Sequence, residues 1–355
     1  MNKSSLSLAV AAALLAAAGA AQAQSAVTIY GLLDMGLENV NNAKAGGGTL
    51  TRVTSGGMNT SRWGLRGSED LGGGLKAVFQ LEGGLLLDTG ASDGVLFKRQ
   101  ANVGLEGGFG RVVLGRSFTS VYDFVLPFDP LGFAPEYSWA TSGNATGPSK
   151  YGMTTQFDNL VKYSGGVGGF KFGATYGFGE QTTGTADSAK MATAASYAAG
   201  PVNLLATFER VNGNTVPATG NRDKTSVYHL GATYENGPLK AYLVGRNYKS
   251  VAGKALTADL KANTFWTGLS YKTTEAMTLT GAVYYVDVKN VAVNADADPI
   301  MYVARLRYAL SKRTDVYLTG AYAKAKHNQL VGLSRDDAGF GDTQHGVMAG
   351  MQHRF

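Results

Sequence analysis

The feature that most restricts this chain is an alternation of apolar and polar residues, with a period of two, sustained over long stretches. Val27, Ile29, Gly31, Leu33, Met35 and Leu37 fall on one face of an extended segment, while Thr28, Tyr30, Asp34 and Glu38 fall on the other. The division recurs. Leu75, Ala77, Phe79 and Leu81 oppose Lys76, Gln80 and Glu82; Phe170, Phe172, Ala174 and Tyr176 oppose Lys171 and Thr175. Further on, Val202, Leu204, Ala206 and Phe208 oppose Asn203, Thr207 and Glu209, and Tyr302, Ala304, Leu306 and Tyr308 oppose Arg305 and Arg307. Strands in soluble sheets run to roughly 5 or 6 residues. These segments approach the ~9 to 11 that a tilted membrane-crossing strand needs.

The first 23 residues carry Lys3, an apolar stretch over 6–18 and a small-residue site, Ala21-Gln22-Ala23. They read as a secretory signal (1–23) that leaves a single unit, 24–355, outside the cytoplasm. That apolar stretch is shorter than the ~20 residues of a spanning helix, and no run of ~18 apolar residues follows it. The chain has no Cys, so no disulfide scaffold holds it in an oxidising compartment. Two classes remain, a soluble periplasmic protein or a β-barrel whose strands satisfy every backbone group in lipid.

Connections separate these classes, because short and long ones take turns. Tight Gly-, Asn- or Pro-bearing turns appear at 69–74, 106–110, 165–169, 198–201, 235–238, 272–276 and 311–314. Longer polar stretches run over 41–60, 87–96, 117–155, 179–189, 211–224, 250–261, 288–298 and 324–344. Seven tight turns and eight long loops give sixteen strands, an even number as bacterial barrels require. Aromatics near segment ends (Tyr30, Trp63, Tyr163, Phe178, Tyr197, Tyr234, Tyr248, Tyr271, Tyr285 and Tyr322) fit girdles at the lipid headgroups. The C-terminal GVMAGMQHRF alternates to the last residue, Phe355. A barrel needs such an ordered end, since its last strand pairs with its first to remove the edges. The expected fold is all-β, a transmembrane antiparallel barrel.

Several stretches then resemble the trimeric general porins of Gram-negative outer membranes, in particular the betaproteobacterial and neisserial branch. They are SAVTIYGLLDMGL (25–37), SRWGLRGSEDLGGGLKAVFQLE (61–82), FKRQANVGLEGGFGRVVLGR (97–116), DNLVKY (158–163), YALSKRTDVY (308–317) and GMQHRF (350–355). The resemblance implies a sixteen-stranded barrel, a homotrimer in contact with outer-membrane lipid and lipopolysaccharide, and a third long loop, 117–155, folded into the lumen as the constriction. With 16 to 18 strands a barrel encloses an aqueous channel, so the inward loop sets the size of solute that passes.

That loop breaks the alternation in SVYDFVLPFDPLGF (120–133), where aromatics, two prolines and two aspartates crowd together. Its apolar residues are expected to pack on the wall while Asp123, Asp129 and Glu136 face water. Asp123 belongs to the YD pair that the family shows here. Opposite stands a basic wall: Arg62 and Arg66 share the face opposite Trp63 and Leu65, so both point into the lumen if Trp63 faces lipid. In the resembled family, arginines matching Arg62 and Arg99 line the constriction, with the acid matching Glu82 close by. Lys76, Lys162, Arg305 and Arg307 also alternate inward. Gln156 stands where the family often has arginine, and Lys162 is the residue placed to compensate. Alternation from Ala101 and Val103 puts Arg99 on the outer face, unless a bulge re-aims it or it sits above the hydrocarbon. One unit charge ~10 Å away contributes ~0.4 kcal/mol in water and ~1.7 at an effective dielectric near 20, so such fields bias permeation without gating it.

The net charge of +6 and the inward cations lead to an expected mild anion preference. Other chemistry falls away. The basic residues form no cluster for nucleic acid, the four histidines have no metal-ligand spacing, and the glycine runs lack a strand-then-helix phosphate context. Asp296 to Asp298 could bind Ca²⁺ through carboxylates but read rather as an exposed acidic loop, and the sequon at Asn144 reads as a chance match. No Ser/His/Asp grouping suggests a barrel enzyme, so neither cofactor nor catalytic residue is expected. The sequence points to an outer-membrane channel for passive diffusion of small hydrophilic solutes and ions. A substrate-specific channel, using the aromatics of the third loop as a track, is the alternative.

Overall fold

The computed structural model describes residues 26–142 and 151–355. The expected signal, 1–23, and the sequon at Asn144 lie outside the described residues. The chain forms, in order, β1 (Ala26–Val40), β2 (Leu50–Ser55), β3 (Arg62–Gly72), β4 (Leu75–Leu86), β5 (Ala91–Ser92), β6 (Gln100–Gly107), β7 (Gly110–Phe118), a short helix α1 (Ser120–Val125), β8 (Gln156–Val167) and β9 (Phe170–Gly177). It continues with β10 (Lys190–Ala199), β11 (Val202–Thr215), β12 (Arg222–Asn236), β13 (Leu239–Val251), β14 (Leu260–Lys272), β15 (Met277–Lys289), β16 (Ile300–Ala309), β17 (Thr314–Lys324) and β18 (Thr343–Arg354).

Register shows how these make a wall. The second half of β1 pairs with β2 and its first half with β3, so β2 and β3 are two parts of one wall strand. β5 pairs only with the tip of β4 as a small hairpin, and β4 goes on to pair with β6. The result is a closed antiparallel barrel of 16 strands. β18 runs beside β1 from Leu32 opposite Arg354 to Val40 opposite Gly346. Gly31 and Phe355 complete the seam by donating to each other's carbonyl at 3.1 Å. No backbone edge is left to lipid.

Opposed residues in an antiparallel pair share a face, so one inward residue fixes the parity of every neighbour. On β1 the odd positions face out, where Val27, Ile29 and Leu37 are exposed, and Asp34 and Glu38 are buried within. Phe178, Tyr197, Tyr234, Tyr271 and Tyr322 are exposed on the outer face, as girdle residues must be. Two aromatics expected there are not. Tyr30 points inward and donates to Glu82 Oε2 at 2.8 Å, and Tyr248 packs edge-on against Tyr151, 5.7 Å between ring centres. Nearness to a strand end did not outweigh parity.

Inside, the loop after β7 turns across the lumen. Thr119 caps α1 by accepting the Tyr122 N–H at 3.0 Å, and a single 3-10 turn over Leu126–Phe128 follows, with Pro127 fixing its start. Val121, Val125, Phe128, Leu131, Phe133, Tyr137 and Trp139 are buried against inward Val227, Val244, Trp266, Val286, Met301 and Met348 of β12 to β18. The inward face there is apolar because it carries the loop. Contact is close enough that glycine is required at Gly268 of β14, where a Cβ would lie 2.4 Å from Pro130 Cγ.

Candidate functional site

Across from the loop, the inward parity of β3 brings Arg62 and Arg66 to the water side, opposite Leu32 and Thr28 of β1. Glu82 follows on the neighbouring strand, opposite Gly64. It is 4% exposed and accepts from Tyr30 Oη at 2.8 Å and Arg99 Nε at 2.8 Å, with Arg62 Nε at 3.9 Å. One carboxylate therefore sits between two guanidiniums and fixes both. Arg99 reaches this place because it lies in the bend before β6, outside the strand. Strand alternation does not bind it, so its outward placement by parity is corrected. Its backbone N–H donates to Glu82 O at 3.2 Å, and its guanidinium lies 5.0 Å above the ring of Phe118, itself stacked on Tyr122. Arg66 stands exposed, 5.1 Å over the ring of Tyr30.

The loop acids divide. Asp123, on α1, is exposed and ion-paired with Lys162 of β8. Lys162 also donates to Phe118 O at 2.9 Å, and its side chain is only 11% exposed. Its charge is thus committed to the loop, and it compensates little for Gln156, which opens β8. Asp129 does not face the water path as expected. It is 3% exposed and takes hydrogen bonds from Phe133 N at 2.6 Å, Ser138 Oγ at 2.8 Å and Tyr284 Oη of β15. Burial pushes its carboxyl up, against the pull of these donors. Part of the reason for its position is local: Phe133 and Tyr137 adopt left-handed backbone, φ 59° and 68°, which costs a bulky residue about 1–2 kcal/mol. Asp129 holds that turn closed.

Glu136 is buried too. Burial raises its carboxyl well above the carboxylate range, helped by Glu38 and Asp337 and opposed by Arg52. Arg52 binds Glu38 at 2.7 Å, lies 3.6 Å from Glu136 and pairs with Asp337, tying the loop, β1 and the segment before β18 together.

Sequence reasoning missed the anchors on the far wall. Arg246 of β13, 1% exposed, donates to Ala140 O at 2.6 Å, Ser142 O at 2.8 Å and Thr264 Oγ1 at 3.1 Å. Trp266 Nε1 donates to Phe128 O at 3.0 Å, and Glu209 accepts Thr154 N at 2.9 Å. Arg305, expected as a lumen charge, donates to Leu131 O at 3.2 Å. The available signal was parity: each of these residues lies on the inward face of its strand, by the same counting that places Arg62 and Lys162.

The Gram-negative porin family model matches residues 9–328. Outer membrane porin protein 32 of Delftia acidovorans is 35% identical over 369 residues, covering 100% of both chains. An outer membrane porin protein of Bordetella pertussis is 33% identical over 366 residues, covering 89% of this chain and 93% of its own. Among solved structures, an anion-selective porin from Comamonas acidovorans superposes with a TM-score of 0.80 at 28% identity, over 94% of this chain and 100% of its own. With a closed wall, a loop seated inside it and this match along nearly its whole length, the chain belongs to the Gram-negative porins, outer-membrane barrels through whose water-filled lumen small hydrophilic solutes and ions diffuse passively.

Proposed function

We propose that this porin is a general diffusion channel with a mild preference for anions, that Arg62, Arg66, Glu82, Arg99, Asp123 and Lys162 form its constriction, and that it works as a homotrimer whose outer faces meet lipid and lipopolysaccharide. The observation that carries the preference is an asymmetry in exposure. Asp34, Glu38, Glu82, Glu209, Asp129 and Glu136 are all less than a tenth exposed. Inward Arg66, Lys76 and Lys171 are exposed, and among the described residues none has an ion-pair partner. At the level of the loop an ion meets open Arg66 and these engaged carboxylates, while the acids Asp70 and Glu235, exposed, and Glu106, partly exposed, lie toward the short turns. The similar porin from Comamonas acidovorans is itself anion-selective. Because water fills the lumen, the bias is a factor of a few.

The channel is assigned no reaction and no cofactor. Purified protein in planar bilayers tests the reading: conductance in triplet steps, and a reversal potential of anion sign in a salt gradient. Single steps without threefold closure refute the trimer, and a potential of cation sign refutes the preference.

A further inference from the structure

On the side of the short turns, the underside of the inward loop and the wall enclose a cavity of about 260 Å³. Phe124, Pro127 and Phe128 give it an apolar floor, and Asn203, Lys171 and Lys240 line it from β11, β9 and β13. Each of these three wall residues is the second of its strand after a tight turn, so the niche lies beyond the constriction formed by Arg62, Glu82 and Arg99. Its charge is positive. Lys171 is exposed and without an ion-pair partner among the described residues. Lys240 Nζ lies 3.5 Å from Glu235, in a pair whose side chains are 28% and 52% exposed, the loose kind that holds little. The one acid lining the niche, Asp123, is already paired with Lys162.

An apolar floor beside two available ammonium groups selects an amphipathic anion. Phosphate or sulfate gains nothing from Phe124 and Pro127, and a neutral ring gains from the lysines only a cation–π contact of about 0.5–1 kcal/mol. With about 260 Å³ the niche takes a monocyclic carboxylate and leaves room for a few waters around its charged end. We infer that this niche is a subsite for small aromatic monocarboxylates, with the ring on Phe124 and Pro127 and the carboxylate drawn by the ammonium groups of Lys171 and Lys240, which line it from β9 and β13. The inference rests on the channel reading, since it places the subsite on the diffusion path and gives the porin a favoured class of solute.

The test is ion current through the full-length protein in planar bilayers, first in potassium chloride alone, then with benzoate, acetate or benzyl alcohol added. Benzoate is expected to reduce the current saturably, with half-block near ~1 mM, an affinity typical of a weak open site. Acetate, which lacks the ring, and benzyl alcohol, which lacks the charge, should each need about tenfold more. Lys171→Gln and Lys240→Gln should each raise the half-block concentration about two- to fivefold. Benzoate block that is linear in concentration, equal to that of acetate, or unmoved by both substitutions overturns the subsite. In those cases normal chloride steps leave the channel reading standing, whereas absence of steps in chloride alone overturns both.

Discussion

Glu82→Gln isolates the electrostatics of the constriction. Glu82 lies 2.8 Å from Arg99 Nε and 3.9 Å from Arg62 Nε, and glutamine keeps both its size and an oxygen to accept from Arg99. The substitution therefore removes one negative charge and leaves Arg99 its acceptor, while Arg62, held at 3.9 Å from it by charge alone, loses that tether; the loss of Tyr30's acceptor costs about 1 kcal/mol. An ion passing ~6 Å away in water feels a change of ~0.7 kcal/mol, which screening over a Debye length of ~8 Å reduces to ~0.3 kcal/mol. Anions gain about 1.7-fold and cations lose as much, so the anion-to-cation permeability ratio rises about threefold. In a tenfold potassium chloride gradient, at ~59 mV per decade for a monovalent ion, a ratio moving from about three to about nine shifts the reversal potential by about 20 mV toward the anion limit. Arg62→Gln should shift it by a similar amount the other way. If Glu82→Gln leaves the potential within about 5 mV of the parent, or moves it toward cations, these charges do not face the ion path and the assignment of the constriction is wrong.

Three other substitutions bear on how the loop is held. Arg246→Met removes the buried cation on which the carbonyls of Ala140 and Ser142 rest; losing a hydrogen bond from a charged donor costs about 1.5–3 kcal/mol each, so hydrogen exchange at residues 139–142 should accelerate by two orders of magnitude or more, and unchanged exchange would mean that the anchor lies elsewhere. Gly268→Ala places a Cβ 2.4 Å from Pro130 Cγ, so the loop must shift; a single-channel conductance identical to the parent's would refute the close approach. Glu136 carries a raised carboxyl, so the folded state holds its proton more tightly than the unfolded chain. Its contribution is complete below the ordinary glutamate value of about 4.3 and is lost as pH rises toward the raised one. The melting temperature should fall over that window in the parent and stay flatter in Glu136→Gln; an equal slope in both would show that Glu136 is not the titrating group.

Much of the wall was legible because a barrel strand is a local object. Parity read from Val27 to Leu37 places Asp34 and Glu38 inside, and the same counting places Arg62, Arg66 and Lys162. It fails where the strand fails: Arg99 lies in a bend, and nothing within a few residues of it announces that Glu82 will draw it inward. Asp129 was misjudged for a related reason. Its surroundings depend partly on Tyr284, which is 155 residues away, and a separation of that size leaves no periodic trace. Arg246 lies 106 residues from Ala140, so its anchoring role was equally hidden, although counting along β13 from its neighbours gives its inward face.

The two kinds of lumen charge have one cause. From β12 to β18 the inward face is largely apolar and covered by the loop, so a polar group there leaves water and costs several kcal/mol unless it is paired. The wall charges beneath the loop accordingly have partners, Arg246 and Arg305 on loop carbonyls and Asp315 with Arg307 at 2.9 Å, and the loop's own Asp129 takes three donors; Lys240, near the short turns, keeps only a loose pair with Glu235. From β3 to β9 much of the wall stays uncovered, water supplies the missing hydrogen bonds, and Arg66, Lys76 and Lys171 have no need of a partner. A loop seated on one side of the barrel therefore does more than narrow it. By deciding which wall stays wet, it decides which charges a passing ion can feel, and those that remain are mostly positive.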